Sequence, residues 1–312
     1  MGLGPGVGLE VARAAEAMGY GSFWLAEVTG PEAFTMLGAI AATTKMAVGT
    51  GVLALQLRTP PLLAMAGATL QALAPDRDVL IGIGISSPVV AGRWHGAAYG
   101  DRPIAQVREF VALLRQCWSG QRVDFAGDFY RVRGFRLGVK MGERRPKIVL
   151  GALNQQMLRL GGEIADGVLL NYLPSTLVPW SVEQVRAGGE AAIYGYIHCG
   201  VGDPHDGDAP ARADLFSYAT VDSYARNFTR AGYGDAVEAI RARHAEGDRA
   251  GALGAVSREM IDGIDFMGSA SEVQAFVRRY VAAGVEHPIV FPLPWGADRR
   301  AAIDETLRAA IL

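Results

Sequence analysis

Residues 45–87 read KMAVGTGVLALQLRTPPLLAMAGATLQALAPDRDVLIGIGISS and form a strand, loop, helix and strand pattern. The first apolar run, 46–55, ends before the turn Arg58-Thr59-Pro60-Pro61. An apolar helix is predicted at 62–73, and a second apolar run follows at 79–85. Strands that are apolar throughout and joined by a covering helix are typical of a parallel sheet buried on both faces. The stretch is therefore predicted to be one β/α unit.

The same alternation of strand and helix continues along the chain. Strands are predicted at 22–28, 46–55, 79–85, 147–150, 167–172, 193–201 and 288–293. Helices are predicted at 9–18, 32–43, 62–73, 104–118, 155–164, 181–191 and 271–283, and nearly all of 212–261 is predicted to be helical. A hairpin is expected at 123–137, a long loop at 88–103 and a polar turn at 202–208. The pattern predicts an α/β fold, a (β/α)8 TIM barrel with insertion segments, as a single domain over residues 1–312.

The N-terminal end departs from a complete barrel. The predicted strands number roughly seven, whereas closure of the barrel needs eight. We therefore expect the first strand to be short or missing. Either the natural protein begins upstream of Met1, or a very short stub at Gly2 to Gly4 closes the barrel.

Composition excludes several classes of protein. Hydrophobic residues make up 50% of the chain and charged residues 20%, which indicates a well-filled globular core. The net charge is −2 and Lys and Arg form no run, so nucleic acid and membrane surfaces are not expected as partners. Cys117 and Cys199 form no Cys-x-x-Cys motif, and the five histidines show no metal-ligand spacing. We expect a cytoplasmic protein with two buried thiols and no metal.

Short motifs spread over nearly the whole chain carry a family resemblance. They are Trp24-Leu25-Ala26-Glu27, Val48-Gly49-Thr50-Gly51-Val52, Arg58-Thr59-Pro60, Leu70-Gln71-Ala72-Leu73, Leu80-Ile81-Gly82-Ile83-Gly84, Arg93-Trp94-His95-Gly96, Ala165-Asp166-Gly167 and Pro288-Ile289-Val290-Phe291-Pro292. In this order they resemble the bacterial luciferase-like superfamily, and within it the deazaflavin-dependent oxidoreductases that use coenzyme F420. The resemblance implies hydride transfer between C5 of the deazaflavin and a small organic substrate.

Two other functions are compatible with the same fold. One is a monooxygenase that uses reduced FMN, and the other is a flavin-binding barrel that has lost catalysis. The incomplete first strand makes the non-catalytic alternative credible, as does Val28. We also expect a homodimer.

The resemblance places the deazaflavin ring at residues 51–53. It implies a non-prolyl cis peptide at Gly51–Val52, in a bulge that presses on the middle of the ring, with Leu53 also contacting the cofactor. A β-bulge made by glycine, without any cofactor, is the structural alternative. The next strand ends in small residues whose N–H groups and hydroxyls could face a ligand. These residues are Gly82, Gly84, Ser86 and Ser87.

A second part of the predicted cofactor site is the loop at residues 151–155. The loop joins a strand to a helix N-terminus, where unpaired N–H groups and the helix dipole favour an anion. By resemblance, Gly151, Ala152, Leu153 and Asn154 hold the phosphate of the cofactor's tail. An ordinary β/α turn with Asn154 as N-cap is the alternative.

Glu27, Trp24 and His95 are the candidate catalytic residues. Glu27 ends its strand near Trp24 and could contact the cofactor or carry a transferred proton, although it could instead cap the following helix. His95 lies in the loop over the site and could act as an acid or base, although such a residue is more often structural or solvated.

Two further features of the sequence bear on the type of reaction. An Asp-His pair in the glucose-6-phosphate dehydrogenase branch aligns with Glu27-Val28, and a glutamate of that branch aligns with Ser87. Both departures argue against glucose-6-phosphate as substrate. His198 and Cys199 are adjacent in a predicted strand, so they point to opposite faces and cannot form a Cys-His dyad.

Overall fold

A computed structural model describes residues 4–312, which form two compact units. The first unit contains the residues up to Gly151 together with Arg159–Leu169 and Gly188–Ala191. The second contains Ala152–Leu158, Leu170–Ala187 and Ala192–Leu312. Of the expected N-terminal stub, residues 2 and 3 lie outside the described residues. Gly4 is described and is the N-cap of the first helix.

The first unit is built on a parallel sheet. In chain order the elements up to residue 170 are α1 (Pro5–Ala17), β1 (Ser22–Leu25), α2 (Ala33–Thr43), β2 (Ala47–Thr50), β3 (Leu53–Ala54), α3 (Pro60–Leu73), β4 (Val79–Gly84), α4 (Pro103–Cys117), β5 (Val123–Ala126), β6 (Arg131–Phe135), β7 (Lys147–Gly151), α5 (Gln155–Ile164) and β8 (Gly167–Leu170). The first turn of α5, up to Leu158, and the last residue of β8 belong to the second unit. Strands β1, β2, β4, β7 and β8 lie side by side in that order, and β3 pairs with β4. The pairing in this sheet is parallel, and β5 and β6 form a separate antiparallel hairpin.

Local sequence explains the β/α unit at the centre of this sheet. Every residue of β4 is buried, as expected for a strand covered on both faces. The Thr59 side chain accepts a hydrogen bond from the backbone N–H of Leu62 at 3.4 Å, and Pro60 occupies the first turn of α3. Both features are typical of a helix start. The unit predicted from residues 45–87 is confirmed.

The second unit is mainly helical around one long strand. Its elements after β8 are α6 (Val178–Arg186), β9 (Ala192–Val201), α7 (Pro204–Ala219), α8 (Asp222–Phe228), α9 (Gly234–Ala245), α10 (Arg249–Gly254), α11 (Arg258–Ile264), β10 (Asp265–Gly268), α12 (Ala270–Ala282), β11 (His287–Pro292) and α13 (Arg299–Ala309). Strand β9 pairs in parallel with both β10 and β11. A core of buried apolar residues from α7 to α11 packs beside β10.

Several elements differ from the sequence prediction. Helix α1 begins at Pro5 instead of residue 9, because proline is accommodated in the first helical turn. Helix α7 begins inside the predicted polar turn, where Asp203 accepts a hydrogen bond from the His205 N–H at 2.9 Å. The predicted loop at 88–103 contains the helical turn Pro88–Trp94. Strand β10 and helix α13 were not predicted. Among the described residues, no helix is long and apolar enough to cross a membrane.

Candidate functional site

The junction between β2 and β3 is a bulge. Gly49 pairs with Leu80 and Leu53 pairs with Ile83, so three residues of one strand lie opposite two of the other. The Thr50 hydroxyl bridges this gap, accepting from the Gly82 N–H at 2.7 Å and donating to the Gly82 carbonyl at 2.9 Å. The peptide bond Gly51–Val52 within the bulge is cis, as predicted.

Val52 lies on a surface made by three glycines. A Cβ atom on Gly84 would lie 2.9 Å from one Val52 methyl group, and a Cβ on Gly151 would lie 3.2 Å from both methyl groups. A Cβ on Gly82 would lie 1.8 Å from the Thr50 carbonyl oxygen. These glycines therefore make room for the bulge. The Gly82 N–H, which we expected to be available to a ligand, is used by Thr50.

The two serines after β4 have different surroundings. The Ser87 hydroxyl accepts a hydrogen bond from the Val90 N–H at 3.1 Å and caps the helical turn Pro88–Trp94. A serine hydroxyl that accepts one bond can still donate its hydrogen to a ligand. Ser86 is half-buried at the start of the same loop.

Glu27 belongs to a polar network at the start of α2. Its carboxylate pairs with both terminal nitrogens of Arg58 and accepts a hydrogen bond from the Ala33 N–H at 3.1 Å. Arg58 also pairs with Glu32, the N-cap of α2. The side chains of Glu27 and Arg58 are only 12% and 15% exposed. The capping interaction that we considered for Glu27 is therefore present, and Arg58 is a partner that the sequence prediction missed.

Trp24 packs within the sheet. It pairs with Gly49 on β2, and a Cβ on Gly49 would lie 2.5 Å from the indole ring. The indole N–H donates to the Ser22 hydroxyl at 3.0 Å. Trp24 can therefore lie over Gly49 only because this residue has no side chain.

His95 connects the loop after β4 to the loop after β1. Its Nε2 donates to the Val28 carbonyl oxygen at 2.6 Å, and the side chain is exposed. The neighbouring Trp94 is 57% exposed, and Val28 is 41% exposed. This part of the first unit presents apolar surface beside an exposed imidazole.

Asn154 marks the N-terminus of α5. Its backbone oxygen accepts a hydrogen bond from the Leu158 N–H at 2.9 Å, which places it at the N-cap position. Its side chain donates to the Ser223 carbonyl oxygen at 3.2 Å and accepts from Arg230 at 3.5 Å. Arg230 stacks on the Trp180 ring at 4.2 Å. Sequence reasoning missed Arg230, whose guanidinium brings a positive charge to this helix N-terminus.

A buried polar cluster occupies the second unit. His198 on β9 lies with its Nδ1 3.2 Å from Asp265 Oδ1 on β10, and its Nε2 lies 2.9 Å from the side-chain oxygen of Asn171. The Tyr172 hydroxyl donates to Asp214 at 2.7 Å. Burial raises the pKa of the Asp265 carboxyl and the nearby Asp214 adds to this effect, whereas His198 opposes it.

The sequence prediction did not find this cluster, because its residues are far apart in the chain and lie in different elements. It treated His198 only as a neighbour of Cys199. Cys199 is fully buried, and burial raises the pKa of its thiol to about 12. A thiol in that state is a poor nucleophile.

Comparison with known proteins identifies the fold and the relatives of the chain. A family model described as luciferase-like monooxygenase matches residues 5–287. The 5,10-methylenetetrahydromethanopterin reductase of Archaeoglobus fulgidus is 28% identical over 306 residues, which cover 93% of this chain and 90% of that enzyme. The F420-dependent glucose-6-phosphate dehydrogenase of Nakamurella multipartita is 31% identical over 205 residues, which cover 61% of this chain and 59% of that enzyme.

Structural similarity agrees with the sequence relationship. The coenzyme F420-dependent tetrahydromethanopterin reductase of Methanopyrus kandleri superimposes with a TM-score of 0.78 at 20% identity, covering 97% of this chain and 94% of that one. The likeness confirms the predicted α/β fold of the TIM-barrel type. Since the family model covers most of its length, the chain belongs to the luciferase-like monooxygenase family.

Proposed function

We propose that this chain is an oxidoreductase that uses coenzyme F420 to transfer a hydride to or from a small organic substrate. A relative named for its F420 dependence supports the cofactor. The structural observation that carries the proposal is the bulge between β2 and β3, in which Val52 packs against glycines. We assign the deazaflavin ring to this bulge, as the family resemblance implies.

The residues of the bulge fit a flat ring. Val52 is half-buried, so part of its side chain remains available for contact. The other side of Val52 packs against Gly84 and Gly151. A larger residue at either position would press against the Val52 methyl groups. A branched side chain supported from behind provides a firm apolar contact for an aromatic ring. When bound, the deazaflavin supplies the carbon that accepts or donates the hydride, and the chain orients it and excludes water.

The N-terminus of α5 fits an anionic tail. The first N–H groups of a helix lack partners within the helix and favour a negatively charged ligand. Arg230, held beside Asn154, adds a cation that can form charge-assisted hydrogen bonds with phosphate. We therefore assign the tail phosphate to residues 152–154 and Arg230.

We assign proton transfer to His95 in preference to Glu27. The Glu27 carboxylate already accepts hydrogen bonds from Arg58 and the Ala33 N–H. His95 is exposed and uses Nε2 for its bond to the Val28 carbonyl, which leaves Nδ1 as the atom that exchanges a proton. Imidazole suits this task near neutral pH. Trp24 packs beside Gly49 and is half-buried, so part of its ring could line the site.

The second candidate function is a monooxygenase dependent on reduced FMN. The description of the matching family model favours it. The two functions need different cofactors, so fluorescence titration of the purified chain with F420 and with FMN separates them. We expect tighter binding of F420. Equal or tighter binding of FMN, with oxygen consumption on adding reduced FMN, would support the monooxygenase, and binding of neither would contradict both.

A further inference from the structure

We propose that His198, Asp214 and Asp265 bind a divalent transition-metal cation in the second unit. These residues offer one imidazole nitrogen and two carboxylates, and the three ligand atoms lie within 4.8 Å of one another. Nitrogen and carboxylate ligands together suit Zn²⁺ or Mn²⁺ better than Mg²⁺. Nothing in this inference depends on the deazaflavin.

Unpaired buried atoms are the first argument for the site. Asp265 is completely buried, and neither of its carboxylate oxygens has a hydrogen-bond partner among the described residues. His198 is 3% exposed, and its Nδ1 likewise has no hydrogen-bond partner within residues 4–312. Buried polar atoms in folded proteins are nearly always paired, and buried charges are paired or coordinate metals. A cation between these atoms would satisfy all three.

The hydrogen bond to Asn171 defines the proton on His198. The Asn171 side-chain oxygen accepts from the Tyr172 N–H at 3.0 Å, so it must also be the acceptor for His198 Nε2. Nε2 therefore carries a proton, and in the neutral form of the ring the Nδ1 lone pair faces Asp265. Two acceptors then face each other at 3.2 Å. Such a pair requires a positive charge between its members, supplied by a cation or by one proton.

Neighbouring groups orient the ligands in the manner usual for metal sites. A metal-binding histidine generally donates its second ring N–H to an oxygen acceptor, as His198 does to Asn171. Tyr172 likewise fixes Asp214 by donating to its carboxylate at 2.7 Å. Tyr172 has a φ of 49°, which is unusual for a residue other than glycine and places both its N–H and its hydroxyl in this network.

Aromatic rings surround the cluster and limit hydration. Phe291 stacks on His198 at 4.6 Å, and Tyr172 packs against it at 4.3 Å. Two carboxylates in such surroundings repel each other unless a cation or a proton offsets their charge. Asp214 is half-buried, so it provides a path for an ion from solvent.

The spacing is close to that of a bound ion. With metal–ligand bonds of about 2.1 Å, ligand atoms on one ion lie at most about 4.2 Å apart. The ligand atoms lie within 4.8 Å of one another, which is near the range that one ion spans. Three protein ligands would leave further coordination positions for water or a small anion.

The test is calorimetric titration of the chelator-treated protein with ZnCl₂, MnCl₂ and MgCl₂. We expect one saturable Zn²⁺ or Mn²⁺ site per chain, with weaker binding of Mg²⁺. Asp265→Asn and Asp214→Asn should each weaken binding at least tenfold, and Tyr172→Phe should weaken it about tenfold through loss of orientation. Asp262→Asn, an exposed carboxylate paired with Arg258 in the same unit, should bind as wild type.

A spectroscopic measurement supports the titration. Co²⁺ added to the wild-type protein should give visible absorption bands that Asp214→Asn abolishes. If Asp265→Asn fails to fold, this result decides the question. Absence of saturable binding by wild type, or binding that both ligand variants retain, would overturn the proposal and leave a shared proton between His198 and Asp265. Loss of binding in His205→Ala, an exposed histidine, would also overturn it by showing a surface site.

Discussion

Val52 places its methyl groups where side chains of Gly84 and Gly151 would otherwise lie. We predict that Gly84→Ala displaces Val52, because the new Cβ would lie 2.9 Å from a methyl group. Overpacking of this kind costs about 1–3 kcal/mol of stability. F420 affinity should fall about tenfold, a loss of about 1.4 kcal/mol, because the ring contact moves. Urea unfolding and fluorescence titration measure the two effects.

Gly38→Ala is the matched control for that variant. Gly38 lies within α2, and a Cβ there would meet no atom of the described chain within 4 Å. Alanine in a helix interior is favoured over glycine by about 0.5–1 kcal/mol, so stability should rise slightly and affinity should stay unchanged. If Gly84→Ala binds F420 as tightly as wild type does, the bulge does not contact the bound cofactor.

Cys117 and Cys199 are predicted to be unreactive in the folded protein. Both are completely buried, and burial raises the pKa of Cys117 to about 11 and that of Cys199 to about 12. A thiol reagent at pH 8 should modify neither cysteine in native protein and both in denaturant. Modification of either thiol at the rate seen in denaturant would contradict their buried placement.

The same pKa shifts predict loss of stability in alkaline solution. A thiol in the unfolded chain titrates near pH 8.5, whereas the folded protein retains both protons to higher pH. The unfolded state therefore binds fewer protons between about pH 9 and 11, and the free energy of unfolding falls as pH rises through that window. Urea unfolding at pH 8 and pH 10.5 checks the sign. The double variant with alanine at both positions should have a shallower decline.

At the residue scale, the family resemblance implied the cis peptide at Gly51–Val52, and the structure has it. The side-chain partners of other candidate residues were not predicted. Arg58 beside Glu27 and Arg230 beside Asn154 could not be found, since each comes from a distant part of the chain. The contact between His198 and Asp265 could not be predicted for the same reason, because it forms only when β9 and β10 pair.

Helix α3 has no charged residue, although part of its surface is exposed. Leu62, Met65 and Leu73 are 52%, 48% and 52% exposed. An uncharged apolar face can match a second copy of itself across a two-fold axis. We propose that this face forms the expected homodimer.

The dimer proposal predicts that Met65→Lys produces a monomer. A lysine there would bring two like charges close to the two-fold axis and require their desolvation, so dimer affinity should fall at least tenfold. Light scattering after size-exclusion chromatography gives the mass. Val281→Lys, at a 39% exposed position on α12, is the control and should leave the mass unchanged. A monomeric wild-type protein would contradict the proposal.

The N-terminus of α5 gives a prediction about the cofactor tail. We expect Arg230→Gln to weaken F420 binding about tenfold, because a charge-assisted hydrogen bond contributes about 1.5–3 kcal/mol. The deazaflavin riboside, which has no phosphate, should bind the variant and wild type equally. Arg226→Gln on α8 is the control, since Arg226 is also exposed. Equal loss with both ligands would show that Arg230 does not act through the tail.

Sequence pattern predicted long elements better than short ones. The buried strand β4 was recognised because it is apolar throughout. Strand β10 was missed because it has four residues, begins with the buried Asp265 and ends in glycine. For helix α7 the pattern predicts a turn only over its first residues, because they are polar, and the start of the helix depends on the Asp203 cap. Short elements are set by tertiary pairing and capping rather than by hydrophobic period.

At the scale of the whole molecule, family and fold are better determined than the reaction. The family model matches residues 5–287, and the Methanopyrus kandleri reductase superimposes over 97% of the chain. Proteins that share a fold can differ in cofactor and substrate, so the reaction must be argued from the site. The predicted single domain remains a prediction, since the described residues form two compact units.

The equilibrium affinity of the intact chain for F420 relative to FMN tests the central claim most directly. Both ligands are fluorescent, so each titration uses the same protein at the same salt concentration. We predict that F420 binds at least tenfold more tightly, and that Gly84→Ala reduces this preference while Gly38→Ala keeps it. Equal affinities, or a preference for FMN, would contradict the assignment of this chain as a deazaflavin-dependent oxidoreductase.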